Sequence, residues 1–162
     1  GEETLWTGHA RNQGLRRLTN TGLLRGIREV SQGKGLDVKP YVLGTAFKRD
    51  VDDTRHSPAI RVMELLMDDG LSHLGYNDPF VPTLEVRGHQ LTSEPLAEAT
   101  LKAADIVIIT TDHTQYDYEF ITRHANVVID TRNATKHLTD PALCAKITLL
   151  GSGTRGGRPI GE

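Results

Sequence analysis

Between Gly44 and Ser57 the chain reads GTAFKRDVDDTRHS, and three of its side chains could hold a phosphorylated ligand. Phe47 offers a ring for stacking and Lys48 a point charge for a phosphate. Arg55 offers a planar fork able to grip two phosphate oxygens at once. Ser57-Pro58 then reads as a helix start whose unpaired N–H groups and positive dipole end would face the same edge. Asp52 and Asp53 run against an anion site, so their expected task is to orient Lys48 or Arg55, or to cap the turn. The residues alone leave two readings open: a solvated loop whose charges pair with each other, or an anion site. The loop is neither a Walker sequence nor G-x-G-x-x-G.

Other positions offer weaker chemistry. DVDDT resembles the nucleophile motif of haloacid-dehalogenase-type phosphatases, with Asp50 attacking a phosphoryl group and Asp52 as acid/base beside Mg2+. Against it, that nucleophile should leave its strand directly, whereas Asp50 lies six residues beyond Gly44. The seven histidines are scattered without metal-ligand spacing. Cys144, between Leu143 and Ala145, reads as a buried, inert thiol. Asp112-His113 could form an oriented acid/base pair, but sequence neighbours point different ways and a loop contact explains them better. Asp130 and Arg132 read as residues that pin a loop. Asp78-Pro79 is either a plain turn or the acid that a dinucleotide fold keeps for ribose.

The elements that would position these groups follow from the pattern. KPYVLG is a short strand ending at Gly44, and Ile60, Met63, Leu66 and Met67 mark a helix that Gly70 stops. LSHLGYN reads as a strand, Pro95 to Ala104 as a helix, and DIVIITT (Asp105 to Thr111) as a strand buried on both faces. A helix over Asp117 to His124 and strands at NVVID and KITLL complete the set. Strand alternating with helix predicts an α/β fold, Rossmann-like and doubly wound, with a mainly parallel sheet and helices on both faces. Residues 39–150 form this domain. Residues 1–38 read as a weakly helical remnant of a linker, interrupted by Gly14, Gly22 and Gly26, and residues 151–162 as a flexible glycine-rich tail. At 162 residues and 37% apolar the chain has room for one aliphatic core. Its net charge of −2 argues for neither a nucleic-acid nor a membrane partner. One cysteine, no signal pattern and no long apolar run give a cytoplasmic expectation.

Taken in order, VLGTAFKRDVDDTRHSPAIRVMELL, GYNDPFVP, ADIVIITTDHTQYD and VVIDTRN resemble the C-terminal, UDP-binding domain of the UDP-glucose/GDP-mannose dehydrogenases, over about residues 39–134. The TDH and DTRN segments look closest to the members acting on UDP-N-acetylhexosamines. The resemblance implies NAD-dependent oxidation of a sugar C6 alcohol to a uronic acid through a cysteine adduct. It also implies a separate N-terminal NAD-binding domain, a UDP-sugar as ligand, and a homodimer as one allowed assembly. Carried over by position, Phe47 and Lys48 contact the nucleotide-sugar, Arg55 reaches the NAD of the other domain, and Asp53 and Ser57 shape the loop. Arg155, after a terminal LGSG, is a candidate substrate contact. The chain departs from the family in lacking a dinucleotide fingerprint, and Cys144 follows the landmarks that the family's cysteine precedes. By itself it is therefore expected to be inactive.

Overall fold

The computed structural model describes residues 26–27, 34–149 and 153–154. Within them a six-stranded sheet runs in the order β2-β1-β5-β6-β7-β8. Its strands are β1 (Pro40–Leu43), β2 (Gly75–Asn77), β5 (Ile106–Ile109), β6 (Val128–Asp130), β7 (Ile147–Leu149) and β8 (Gly153–Thr154). β1 pairs in parallel with β2 and β5, as do β5 with β6 and β6 with β7; only β8 is antiparallel. Of the expected flexible tail, only these two β8 residues are described; the weak helices expected before residue 26 lie outside the described residues.

Successive residues of a strand face opposite sides, and here they sort into separate cores. Ile106 and Ile108 of β5 and Ile129 of β6 pack with Val62 and Leu66, while Val107, Ile109 and Val128 pack with Leu101 and Ile121. Helix α1 (Pro58–Asp68) thus covers one face, and α2 (Glu98–Ala103) and α3 (Tyr118–His124) the other. That double cover is why β5 could be wholly apolar.

Helix α1 has the ends its sequence called for. The Ser57 hydroxyl accepts from Ala59 N–H, Pro58 sits in the first turn, and Gly70 follows in the left-handed region at φ 94°. Helix α2 begins three residues later than the expected Pro95. Its Thr100 hydroxyl accepts from Ala97 N–H and donates to Pro95 O, and the buried Tyr41 hydroxyl also donates to Pro95 O at 3.1 Å. These bonds hold the backbone before the first turn.

Besides β8, two strands and a short helix have no counterpart in the sequence reading. β3 (Thr83–Val86) and β4 (His89–Thr92) form an antiparallel hairpin beside α1. Arg87 and Gly88 turn it with positive φ, 51° and 79°, the geometry of a two-residue primed turn. Leu84 and Val86 point inward against Val42, Met63 and Tyr76. The short helix α4 (Pro141–Cys144) is capped by Asp140. No helix among the described residues is long and apolar enough to cross a membrane.

Candidate functional site

From β1 the chain turns to β2 on one side and then crosses to β5 on the other, so the strand order reverses between β1 and β5. Ligands of open α/β sheets bind outside the carboxyl ends at such a reversal. The loops that leave there are residues 44–57 after β1 and 110–117 after β5, with 131–140 after β6 beside them.

Gly44 opens the first loop at φ 87°, pressed so closely on the second that a Cβ would lie 2.5 Å from Thr111 O. From there Asp78, wholly buried at the end of β2, organises the turn. Its Oδ2 accepts from Thr45 N–H (2.7 Å), Ala46 N–H (3.1 Å) and the Thr45 hydroxyl (3.3 Å), and its Oδ1 from Phe80 N–H (2.8 Å). His113 Nε2 lies 2.9 Å from the same Oδ2. Burial pushes the Asp78 carboxyl up, but bonds from His113, Thr45 and Phe80 outweigh it and hold it below the usual range. Asp78 therefore serves neither as a plain turn residue nor as an exposed ribose acceptor: it is the hub of the loop.

All four residues that follow Thr110 grip the β1 loop. The Thr111 hydroxyl donates to Ala46 O at 2.7 Å. Asp112 takes Arg49 Nη2 at 2.5 Å, which raises the Arg49 pKa. His113 Nδ1 accepts from Asp50 N–H at 2.9 Å. Thr114 donates to both Asp50 oxygens, from its N–H at 2.8 Å and its hydroxyl at 2.5 Å, and these bonds lower the Asp50 pKa. Asp112 and His113 thus point different ways into loop contacts, as neighbours should. Asp130 pins the next loop, accepting from Arg132, Ala134 and Thr135 N–H groups.

The predicted ligand contacts sit on the outside of this frame. Phe47 is 47% exposed, and Lys48, exposed beside it, makes no hydrogen bond or ion pair with any described residue. Arg55 lies at the far end of the loop, 83% exposed, its Nε and Nη2 forked onto Asp53 at 3.0 and 2.9 Å. That fork draws the Asp53 carboxyl down to about 2, and orienting Arg55 is one of the two tasks expected of this acid. Ser57 caps α1 and donates to Ala46 O at 3.3 Å, which ties the loop's end to its beginning. Arg155 lies outside the described residues. Cys144 is half-buried rather than buried, and its thiol donates to Leu138 O at 3.4 Å.

A polar cleft of about 510 Å³ opens between the β5 and β6 loops, lined by Arg49, Asp112, Tyr118, Arg132 and Lys136 among others. Neither Phe47 nor Lys48 lines it. Asp112 stands between its two arginines, with Arg132 Nε 3.6 Å from Oδ1. Arg49 and the hub role of Asp78 escaped the sequence reading; the only signal was an acid at a strand end, which a turn explains equally well.

The phosphohydrolase alternative finds no support. Asp50 is bound by both Thr114 donors, in a left-handed backbone at φ 60° well past the strand end, and Asp52 is an exposed loop residue. No group of three potential metal ligands gathers among the described residues.

Comparison with known proteins agrees with the geometry. The model of the UDP-glucose/GDP-mannose dehydrogenase family, UDP binding domain, matches residues 41–137. A UDP-N-acetyl-D-mannosamine dehydrogenase of Pyrococcus horikoshii is 34% identical over 121 residues, covering 71% of this chain and 26% of that protein. One from Methanococcus vannielii is 28% identical over 135 residues, covering 76% of this chain and 30% of its own length. Among solved structures, the UDP-D-ManNAc dehydrogenase from Pyrococcus horikoshii superimposes with a TM-score of 0.62 at 25% identity, covering 93% of this chain and 35% of that one. The chain thus spans about a third or less of the length of the proteins it matches. With the family's domain model covering most of its ordered sheet, and the loop after β1 at the site where such sheets take ligands, this chain belongs to the UDP-glucose/GDP-mannose dehydrogenase family, as its UDP-binding domain.

Proposed function

We propose that this chain binds a UDP-sugar for an NAD-dependent nucleotide-sugar 6-dehydrogenase whose oxidation chemistry resides in a separate N-terminal domain. The observation that carries this reading is the state of Phe47 and Lys48. Both are exposed and Lys48 has no described partner, while the backbone around them is tied down by Asp78, Thr111 and His113. A lysine with no described partner is available to a diphosphate ligand, and the fixed backbone confines the ordering cost to the side chain itself. Phe47 contacts the base or its surroundings and Lys48 the phosphate or sugar side, with Arg155 a further candidate contact from the tail. Asp53 and Ser57 keep the loop in shape. The relatives named for UDP-N-acetyl-D-mannosamine favour an N-acetylhexosamine as the sugar.

For NAD the residues present fit one contact rather than a whole site. Arg55 presents an exposed fork that could leave Asp53 for a cofactor phosphate, while the dinucleotide fingerprint is missing from the sequence. Titration calorimetry with UDP and UDP-GlcNAc tests the reading. Binding should be detectable at millimolar ligand or below, and Lys48→Ala should weaken it about tenfold or more, the scale of one charged hydrogen bond. No binding, or binding indifferent to Lys48→Ala, refutes it.

A further inference from the structure

We propose that His113, as the neutral imidazole carrying its proton on Nε2, is the positioning residue that sets the conformation of the Phe47–Arg49 segment and through it the ligand affinity of the loop. The affinity part rests on the nucleotide-sugar reading given above; the positioning part does not.

The tautomer follows from the partners. An ionised Asp78 only accepts, so the nitrogen 2.9 Å from its Oδ2 must donate. The Asp50 main-chain N–H only donates, so Nδ1, 2.9 Å away, must be the bare nitrogen. Both the His113 and Asp78 side chains are wholly shielded from solvent. The ring is wedged between Phe80 (centroids 4.9 Å) and Tyr116 (5.6 Å), which fixes its plane. The carboxylates facing it are Asp78 and Asp50, the latter with an oxygen 3.8 Å from Nδ1.

The arrangement grips both ends of one short segment. Asp78 holds Thr45 and Ala46 just before Phe47, and His113, itself held by Asp78, holds Asp50 just after Arg49. Between the two anchors lie Phe47, Lys48 and Arg49. Asp50 adopts φ 60°, a left-handed conformation that aspartate tolerates better than most residues and that the bonds to His113 and Thr114 support here. The other ties at this end, Asp50 to Thr114 and Arg49 to Asp112, involve side chains that are 42% and 60% exposed, where water competes. The imidazole end of the Asp50 N–H bond is wholly shielded from solvent, so water competes for it least. Being shielded, the ring cannot meet a ligand, so it positions the loop and takes no part as an acid or base.

The test uses the whole chain and three variants. His113→Gln keeps an acceptor and a donor about as far apart as the two ring nitrogens, His113→Phe keeps the volume without either bond, and His113→Asn is too short to span both partners. Nitrogen-15 spectra of the wild-type imidazole at neutral pH should show the Nε2-protonated neutral form. Amide exchange should show Asp50 N–H protected in the wild type and in His113→Gln, and at least about tenfold less protected in His113→Phe or His113→Asn, whichever folds. UDP affinity should follow the same order, within about threefold of wild type for Gln and about tenfold weaker for Phe or Asn. A proton on Nδ1, a doubly protonated ring, or full Asp50 protection in His113→Phe or His113→Asn overturns the strut. Normal UDP affinity in an Asn or Phe variant whose Asp50 amide has lost protection overturns the link to the ligand alone. A wild type that does not bind UDP sinks the proposed function together with that link, and exchange and tautomer still decide the strut.

Discussion

Replacing Asp78 with asparagine removes one charge and converts one acceptor into a donor, at a buried position where five hydrogen bonds converge. The amide can turn its oxygen toward Thr45, Ala46 and His113, in which case its NH2 meets Phe80 N–H and orphans it. The opposite orientation sets the NH2 against three N–H donors and is worse. In the better orientation one part-buried donor is unsatisfied, at about 1–3 kcal/mol, and the remaining bonds lose their charge assistance. The sum is a loss of about 2–4 kcal/mol. With a urea slope of about 2 kcal/mol/M, the middle of the range for small domains, the denaturation midpoint should drop by about 1–2 M. The pH dependence has a definite sign. Asp78 is held below its ordinary value, so the unfolded chain binds the proton first as pH falls. The carboxylate's contribution is full above the unfolded value of about 3.9 and is lost as pH falls through the lower folded one. The gap between wild type and Asp78→Asn should therefore be widest near neutrality and narrow below about pH 4. A cost under about 0.5 kcal/mol at pH 7, or a gap that widens in acid, would refute the assignment of Asp78 as hub.

Two further outcomes follow from the same loop. Gly44→Ala forces a side chain into a left-handed backbone against Thr111, and should cost about 3 kcal/mol, lowering the thermal midpoint by roughly 10 °C in a calorimetric scan. The Asp53 carboxyl carbon should titrate by NMR with a midpoint of about 2, and in Arg55→Ala should return toward about 3.9; a midpoint unmoved by that change would mean the fork is not formed in solution.

What could be read in advance was what neighbours along the chain decide. Helix α1 was legible from Ser57-Pro58 to Gly70 because a cap, a proline and a left-handed stop act within one or two turns of their own position. β5 was legible because burial on both faces leaves a continuous apolar run. The β3–β4 hairpin was within reach, since TLEVRGHQLT alternates around a two-residue turn ending in glycine, but Arg at the first turn position hides the signal behind a residue that seldom adopts positive φ. The 44–57 loop was singled out as a candidate by resemblance, its residue types alone leaving a solvated turn equally open, and it does leave the carboxyl end of β1.

Sequence by itself determined helix α1, the parallel strands of the sheet, the class of fold and the loop that carries Phe47, Lys48 and Arg55, because propensity, capping and periodicity are local. It also suggested that Asp53 would serve an arginine two residues away, a contact that needs no fold. Only the tertiary structure decided that Asp78, His113, Thr114 and Asp112 hold this loop. Their partners lie 32 to 64 residues away in the chain, brought together by the parallel pairing of β1 with β2 and β5. A buried carboxylate and a buried imidazole look like any turn acid or surface histidine until the sheet closes water out around them.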